Sequence, residues 1–149
     1  RWTVSELLEE LPASVTALTA TETKLLDLVV HGATSPSLIF AGYFLREPAP
    51  VHNFPELGET LDYLAHGREP ALMGLEGGPF SLEMHVDRSR RARWERGNIS
   101  LSPFGQALIE GRTDFAAHNP IDRWWGGTKL TNERLWRWDS AKGALIPPS

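Results

Sequence analysis

Cysteine is absent from the 149 residues of this chain. Its absence excludes disulfides, thiolate metal sites and a cysteine nucleophile. Long apolar runs are also lacking, since none approaches the roughly 20 residues that a membrane-spanning helix needs. Acidic residues interrupt the apolar positions of segment 1–10, which is atypical of a signal peptide. We therefore expect no membrane partner, and a chain that begins with Arg1 is expected to be part of a longer protein.

Sequence motifs of the common catalytic and cofactor sites are lacking as well. There is no Gly-x-Ser-x-Gly elbow, Walker loop or dinucleotide fingerprint. The glycine-rich segment 74–78 precedes a predicted strand, so it offers no helix N-terminus to a phosphate. The five histidines lack a metal-binding spacing such as H-E-x-x-H: His31, His52, His66, His85 and His118. We expect no cofactor and no metal site, and an enzyme is not the favoured interpretation.

Charge is divided unevenly along the chain, whose net charge is −4. Residues 1–75 carry 4 basic and 10 acidic side chains, whereas residues 76–149 carry 11 basic and 9 acidic ones. An acidic first half does not attract phosphates. Any binding of nucleic acid would therefore depend on the second half.

Capping motifs predict where the main helices begin. Thr19 and Glu22 form a capping box, in which each side chain can bond the backbone of the other residue. Ser35-Pro36 and Ser102-Pro103 combine an N-cap with a proline in the first helical turn. Apolar residues at helical spacing support these assignments. The predicted helices are 4–11, 20–31, 36–45, 54–66 and 103–110.

Two strands, 71–75 and 80–86, are predicted to form a hairpin with its turn at 76–79. Apolar and polar residues alternate along the second of them. Segment 87–97 is predicted to be a charged loop, and a short strand is expected at 98–101. The order helix, helix, helix, strand, strand is that of a winged helix. We therefore predict the α+β class, with a winged-helix-like helical body and a β-hairpin wing.

The segment 118–139 holds four of the six tryptophans. Asn119-Pro120 is predicted to start one helical turn, and Gly126-Gly127 to end it. Three strands are then expected to form a small C-terminal antiparallel β-meander: 128–131, 134–138 and 144–146. The predicted organisation is one compact unit with three parts: an N-terminal helix and linker at 1–17, the winged-helix-like domain at 18–111, and the tryptophan-rich meander at 112–149.

Three motifs together resemble a known family. They are Leu18-Thr19-Ala20-Thr21-Glu22, the run Leu101-Ser102-Pro103-Phe104-Gly105-Gln106-Ala107-Leu108, and the tail from Asn119 through Ile121-Asp122-Arg123-Trp124-Trp125-Gly126-Gly127 to Trp136-Arg137-Trp138-Asp139. With them the chain resembles the C-terminal half of an uncharacterised bacterial family of domains of unknown function, over most of residues 18–139. The resemblance implies a bacterial, cytoplasmic protein in which an N-terminal α/β domain precedes this region. It implies no particular activity.

Binding of DNA through the helix before the wing is disfavoured by charge. That helix normally enters the major groove. Here its outward positions include Glu56, Glu59 and Asp62, which would face a polyanion. The arginine segment, residues 88–96, is the stronger candidate for a partner or nucleic acid. Its candidate residues are Arg88, Arg90, Arg91, Arg93, Trp94 and Arg96.

Three interpretations of the arginine segment are open. Its arginines could clamp phosphates while the tryptophan stacks on a base. It could instead dock on an acidic surface, or it could be a solvated loop. The second candidate site is a pocket in the tail. It could bind a ligand, but we favour a small core that these side chains fill themselves. Its residues are Asp122, Arg123, Trp124, Trp125, Trp136 and Trp138.

The favoured function is a non-catalytic interaction or regulatory module of a larger protein. The expected partner is another protein or the preceding domain of the same chain. Nucleic-acid binding through the arginine segment is the first alternative. The second is an enzyme domain that uses Asp122, Arg123 and the tryptophans.

Overall fold

The computed structural model describes residues 2–149 and belongs to the α+β class, as predicted. The helices are α1 Val4–Leu8, α2 Ala20–Val30, α3 Pro36–Arg46, α4 Phe54–Ala65, α5 Arg88–Glu95, α6 Pro103–Ile109 and α7 Phe115–His118. The strands are β1 Leu72–Met73, β2 Ser100–Leu101, β3 Asp122–Trp125, β4 Thr128–Thr131, β5 Arg137–Asp139 and β6 Ala144–Ile146. None of the helices within residues 2–149 is long and apolar enough to cross a membrane.

The predicted caps are present at three helices. Thr19 accepts the backbone N–H of Glu22, whose carboxylate accepts that of Thr19 in return. Ser35 and Ser102 cap α3 and α6, each followed by proline. These local bonds satisfy N–H groups that have no partner within the helix. They explain why the starts of these helices could be predicted without knowledge of their neighbours.

Helices α2, α3, α4 and α6 surround the main core. Their inward apolar residues are buried, and those with no exposed surface include Leu25, Leu26, Ile39, Leu57, Leu61 and Leu64, whereas Leu38, Phe44 and Leu45 of α3 are exposed. The helical spacing of the α4 leucines turns the other side of that helix outward. This outward side of α4 positions the site described below.

The predicted hairpin of 71–75 with 80–86 is wrong. Strand β1 pairs antiparallel with β2, and Leu72 lies opposite Leu101. Residues 82–85 form a 3-10 turn. Met84 is buried, whereas Leu82 and Val86 are 70% and 87% exposed, so the alternating apolar residues do not share one face. The predicted order of three helices followed by two consecutive strands is not kept, because the 3-10 turn and helix α5 lie between β1 and β2.

The predicted loop at 87–97 is also wrong, because most of it forms helix α5. Asp87 caps the helix by accepting the backbone N–H of Arg90 at 3.0 Å. Trp94 is 1% exposed and packs against Phe40 and Phe80, with ring centroids 5.7 and 5.1 Å apart. A buried tryptophan therefore anchors a helix whose other residues are mostly charged.

The predicted three-stranded meander is replaced by two separate hairpins. Strand β3 pairs with β4 around a turn at Gly126-Gly127, and β5 pairs with β6. Asn119 does not start a helical turn, because it ends α7 in an extended conformation. Its side-chain amide instead exchanges two hydrogen bonds with the backbone of Glu69. This contact fixes the chain that enters β3 to the loop that follows α4.

Candidate functional site: a groove between α4 and β3

The outward side of α4 and strand β3 form a surface groove of about 360 Å³. Asn53 caps the start of α4, and the hydroxyl of Tyr63, near its end, donates to the carbonyl of Pro120 at 3.1 Å. That bond holds the start of β3 beside the helix. The groove is lined by Glu22, His52, Glu56, Glu59, Thr60, Tyr63, Asp122, Arg123 and Trp124. We call it the α4/β3 groove.

An ion pair between Arg123 and buried Glu22 forms the floor of the α4/β3 groove. Nη1 of Arg123 lies 2.9 Å from Oε1 of Glu22, whose side chain is 2% exposed. The guanidinium also lies over the Tyr63 ring, 5.0 Å from its centroid. Burial disfavours the charged guanidinium, but Glu22 and Tyr63 outweigh it and raise the pKa of Arg123. The capping glutamate predicted from sequence therefore also anchors β3.

The rim of the α4/β3 groove is acidic and aromatic. Glu56, Glu59 and Asp122 are exposed, and Trp124 is 68% exposed. Asp122 pairs across the hairpin with Lys129, with 3.1 Å between the charged atoms. Because Arg123 is held by Glu22, carboxylates outnumber the cations at the opening. Such a rim attracts positive charge.

A second polar network lies behind the wall of the α4/β3 groove. One carboxylate oxygen of Glu10 accepts the backbone N–H and the hydroxyl of Thr21, at 3.2 and 2.8 Å. The other oxygen lies 3.2 Å from Nε2 of His52. Burial alone would raise the pKa of the Glu10 carboxyl, but the bonds from His52 and Thr21 outweigh it and lower that pKa. The network connects the segment after α1 to the start of α2 and the loop before α4.

We expect the free energy of unfolding to decrease as the pH rises through the pKa of folded His52. The hydrogen bond to Glu10 is the main cause that raises this pKa above 6.5. The stabilisation is therefore complete below about pH 6.5 and is lost as the folded ring deprotonates. Urea unfolding at about pH 6 and about pH 8.5 measures the difference. His52→Gln should reduce it, whereas His31→Gln, at an exposed ring after α2, should leave it unchanged.

The structure brings together three of the six predicted pocket residues. Asp122, Arg123 and Trp124 line the α4/β3 groove. Asp122 and Arg123 bind different partners, so they do not form a pair with each other. The remaining three lie elsewhere: Trp125, Trp136 and Trp138.

Two of those three tryptophans attach the tail to the N-terminal segment. The Trp125 indole donates to the carbonyl of Leu7 at 3.2 Å, and that of Trp138 to the carboxylate of Glu9 at 2.9 Å. Both are partly buried against the core. Trp136 is 38% exposed. Trp125 therefore packs inward, whereas its neighbour Trp124 stays exposed.

The sequence alone did not identify the α4 wall of the groove. The outward carboxylates of α4 disfavour DNA, but their sequence pattern does not indicate a groove. Tyr63 and His52 carry no motif that would mark them. The spacing Glu56, Glu59, Tyr63 on one helix face was the available signal, but only the tertiary structure places β3 opposite that face.

The arginine segment divides into two groups. Arg90 donates to the carbonyls of Gly77 and Pro79, and Arg91 donates to Glu95 at 2.7 Å. Trp94 is buried, so it offers no ring face on which a base could stack. The outward group is exposed and forms no ion pair within residues 2–149: Arg88, Arg93 and Arg96.

In the part of the chain that the structure describes, no group of three His, Asp or Glu side chains is placed so that it could bind a metal ion.

The chain matches no family model, no curated protein and no solved structure.

Proposed function

We propose that this chain is a non-catalytic interaction module whose α4/β3 groove binds a basic segment of a protein partner. The observation that carries the proposal is the composition of the groove opening. Three exposed carboxylates surround an exposed indole, and the groove arginine is already held by a buried glutamate. Carboxylates pair with lysine and arginine, and an indole face attracts the same cations.

The shape of the groove also supports a partner with side chains. A volume of about 360 Å³ is within the range of pockets that take small ligands or a few side chains. Trp124 provides a large apolar contact beside the charges, and tryptophan is common among residues that dominate binding energy. An arginine that enters the groove could stack on Trp124 while it bonds Glu59 or Asp122.

Location of the groove argues against major-groove recognition of DNA by α4. Glu56 and Glu59 lie on the outward side of that helix, and β3 runs alongside it. A phosphate backbone that approached this side would meet carboxylates, which repel it. A protein partner of opposite charge meets no such repulsion.

Binding of a short arginine-rich peptide, followed by calorimetry or by the total tryptophan fluorescence of the protein, tests the proposal. We expect Glu59→Lys or Asp122→Lys to weaken binding about fivefold each, which corresponds to about 1 kcal/mol for an exposed ion pair. Trp124→Ala should weaken it further because the stacking contact is lost. Higher salt should reduce the affinity, since exposed charges are screened.

The matched control is Glu76→Lys, which makes the same charge change at an exposed residue outside the groove. It should leave the affinity within about twofold of the original. A glutamate-rich peptide of the same length should not bind. Equal weakening by Glu76→Lys and Glu59→Lys would show that only net charge matters and would contradict a groove site.

The outward arginines of α5 favour nucleic-acid binding as a second candidate function. Arg88 and Arg93 on α5 and Arg96 at its C-terminal cap are exposed, form no ion pair within residues 2–149 and can reach phosphates. Arginine binds phosphate in a bidentate manner. Because the tryptophan of this helix is buried, any such binding would use the backbone and would be independent of sequence.

Duplex and single-stranded DNA at two salt concentrations test this second candidate. Three phosphate contacts predict a slope of log K against log salt of roughly −3. Arg93→Glu and Arg96→Glu should abolish binding, whereas Arg112→Glu, at an exposed residue outside α5, should have a smaller effect. Arg90 and Arg91 are unsuitable test sites because they hold the local fold. Absence of binding at low salt would exclude this function.

A further inference from the structure

The two ring nitrogens of His52 face carboxylates in different surroundings. Nε2 lies 3.2 Å from Oε2 of Glu10, whose side chain is 10% exposed. Nδ1 lies 3.6 Å from Oε2 of Glu56, whose side chain is 49% exposed and lines the α4/β3 groove. One side of the ring therefore belongs to the buried network and the other to the groove.

Buried Glu10 determines which nitrogen keeps its hydrogen. Its second oxygen already accepts two hydrogen bonds from Thr21, so the carboxylate is fixed in place. A neutral His52 can retain the bond to Glu10 only as the Nε2–H form, because a carboxylate only accepts. The proton that leaves on titration is therefore the one on Nδ1, which faces Glu56.

We infer that binding of a basic segment in the α4/β3 groove displaces the Nδ1 proton of His52, so that the affinity of the groove increases with pH. The inference rests on the proposed function and adds its regulation. A protonated His52 neutralises Glu56 and repels an incoming cation. A neutral His52 leaves Glu56 free to pair with the ligand.

Three neighbouring groups surround His52: two carboxylates that act on its ring and one neutral phenol. Glu10, after α1, and Glu56, on α4, are the charged groups that act on its ring. Tyr43, on α3, lies beside the His52 backbone and Thr21, and burial raises the pKa of its phenol, which stays neutral. The hydrogen bond that His52 donates to Glu10 is the main cause that raises the pKa of the His52 ring above its usual value.

The inference is tested by measuring the affinity of the arginine-rich peptide at about pH 6 and about pH 8.5 at constant ionic strength. We expect about threefold tighter binding at the higher pH, the size of one exposed charge interaction. His52→Gln should remove the dependence. His66→Gln is the control, because that ring pairs with Asp62 outside the groove and its loss should leave the dependence intact.

Calorimetry in buffers of different ionisation enthalpy provides a second readout. Near the pKa of His52, peptide binding should release a fraction of a proton in the original protein and none in His52→Gln. Binding that is equal at both pH values, with no proton release, overturns the inference and leaves the proposed function standing. Absence of peptide binding at both pH values overturns the proposed function together with the inference.

Discussion

Trp94→Ala is expected to lower the free energy of unfolding by about 3–5 kcal/mol, the range for removing a fully buried large aromatic residue. Trp94 is 1% exposed and packs against Phe40 and Phe80. Helix α5 carries little other apolar surface, because five of its eight residues are charged. We therefore expect the truncation to detach α5 from the body as well as to leave a cavity.

Chemical unfolding monitored by circular dichroism measures this effect. Trp124→Ala is the matched control: it removes the same side chain at a 68% exposed position and should change the free energy of unfolding by less than about 0.5 kcal/mol. Trp94→Phe should lower the free energy of unfolding by only about 1 kcal/mol. It keeps an aromatic ring in the core, and the indole N–H that it deletes bonds no acceptor within the described residues. Similar losses for the two alanine variants would contradict the assignment of Trp94 to the core.

Arg123→Met is expected to cost about 3 kcal/mol, because it leaves the Glu22 carboxylate buried without its cation. Glu22→Gln should cost less, about 1 kcal/mol. The amide oxygen can still accept the backbone N–H of Thr19, and Arg123, which lines the groove, can be hydrated there. The two losses differ because Arg123→Met leaves a charged carboxylate in the interior, whereas Glu22→Gln leaves a guanidinium that water can reach.

A double-mutant cycle of these two variants by chemical unfolding measures the coupling. Lys129→Met is the control. It breaks the pair with Asp122, in which both side chains are about half exposed or more, and should cost less than about 1 kcal/mol. Additive losses at Glu22 and Arg123 would show that the ion pair does not anchor β3.

Local signals account for the parts of the fold that could be predicted. A capping box or a Ser-Pro pair needs only neighbouring residues, and the starts of α2, α3 and α6 were therefore predicted correctly. The leucine spacing of α4 likewise identified its buried side. The strands were predicted less well, because alternation within a segment does not identify its partner. The partners in the β1–β2 pair lie 27 and 29 residues apart in the chain, on either side of α5.

The α4/β3 groove was predicted on one side only. The sequence marks Asp122, Arg123 and Trp124 of β3 as candidate pocket residues. The carboxylates of α4 that face them indicate, from the sequence alone, only that this helix disfavours DNA. The arginine segment differs from its prediction as well. Its charge predicted a loop, but burial of Trp94 and the Asp87 cap make most of it a helix. Two of its arginines, Arg90 and Arg91, form hydrogen bonds within the protein.

By itself, the amino-acid sequence determined the α+β class, the capped helices and the acidic outward side of α4, since each depends on residues close together in the chain. Only the tertiary structure decided that β3 lies along α4, that Glu22 pairs with Arg123 and that His52 separates a buried carboxylate from an exposed one. These features join segments up to about a hundred residues apart. Each of these contacts forms because the folded chain buries particular groups against one another. The spacing of residues along the sequence does not specify which distant groups will meet.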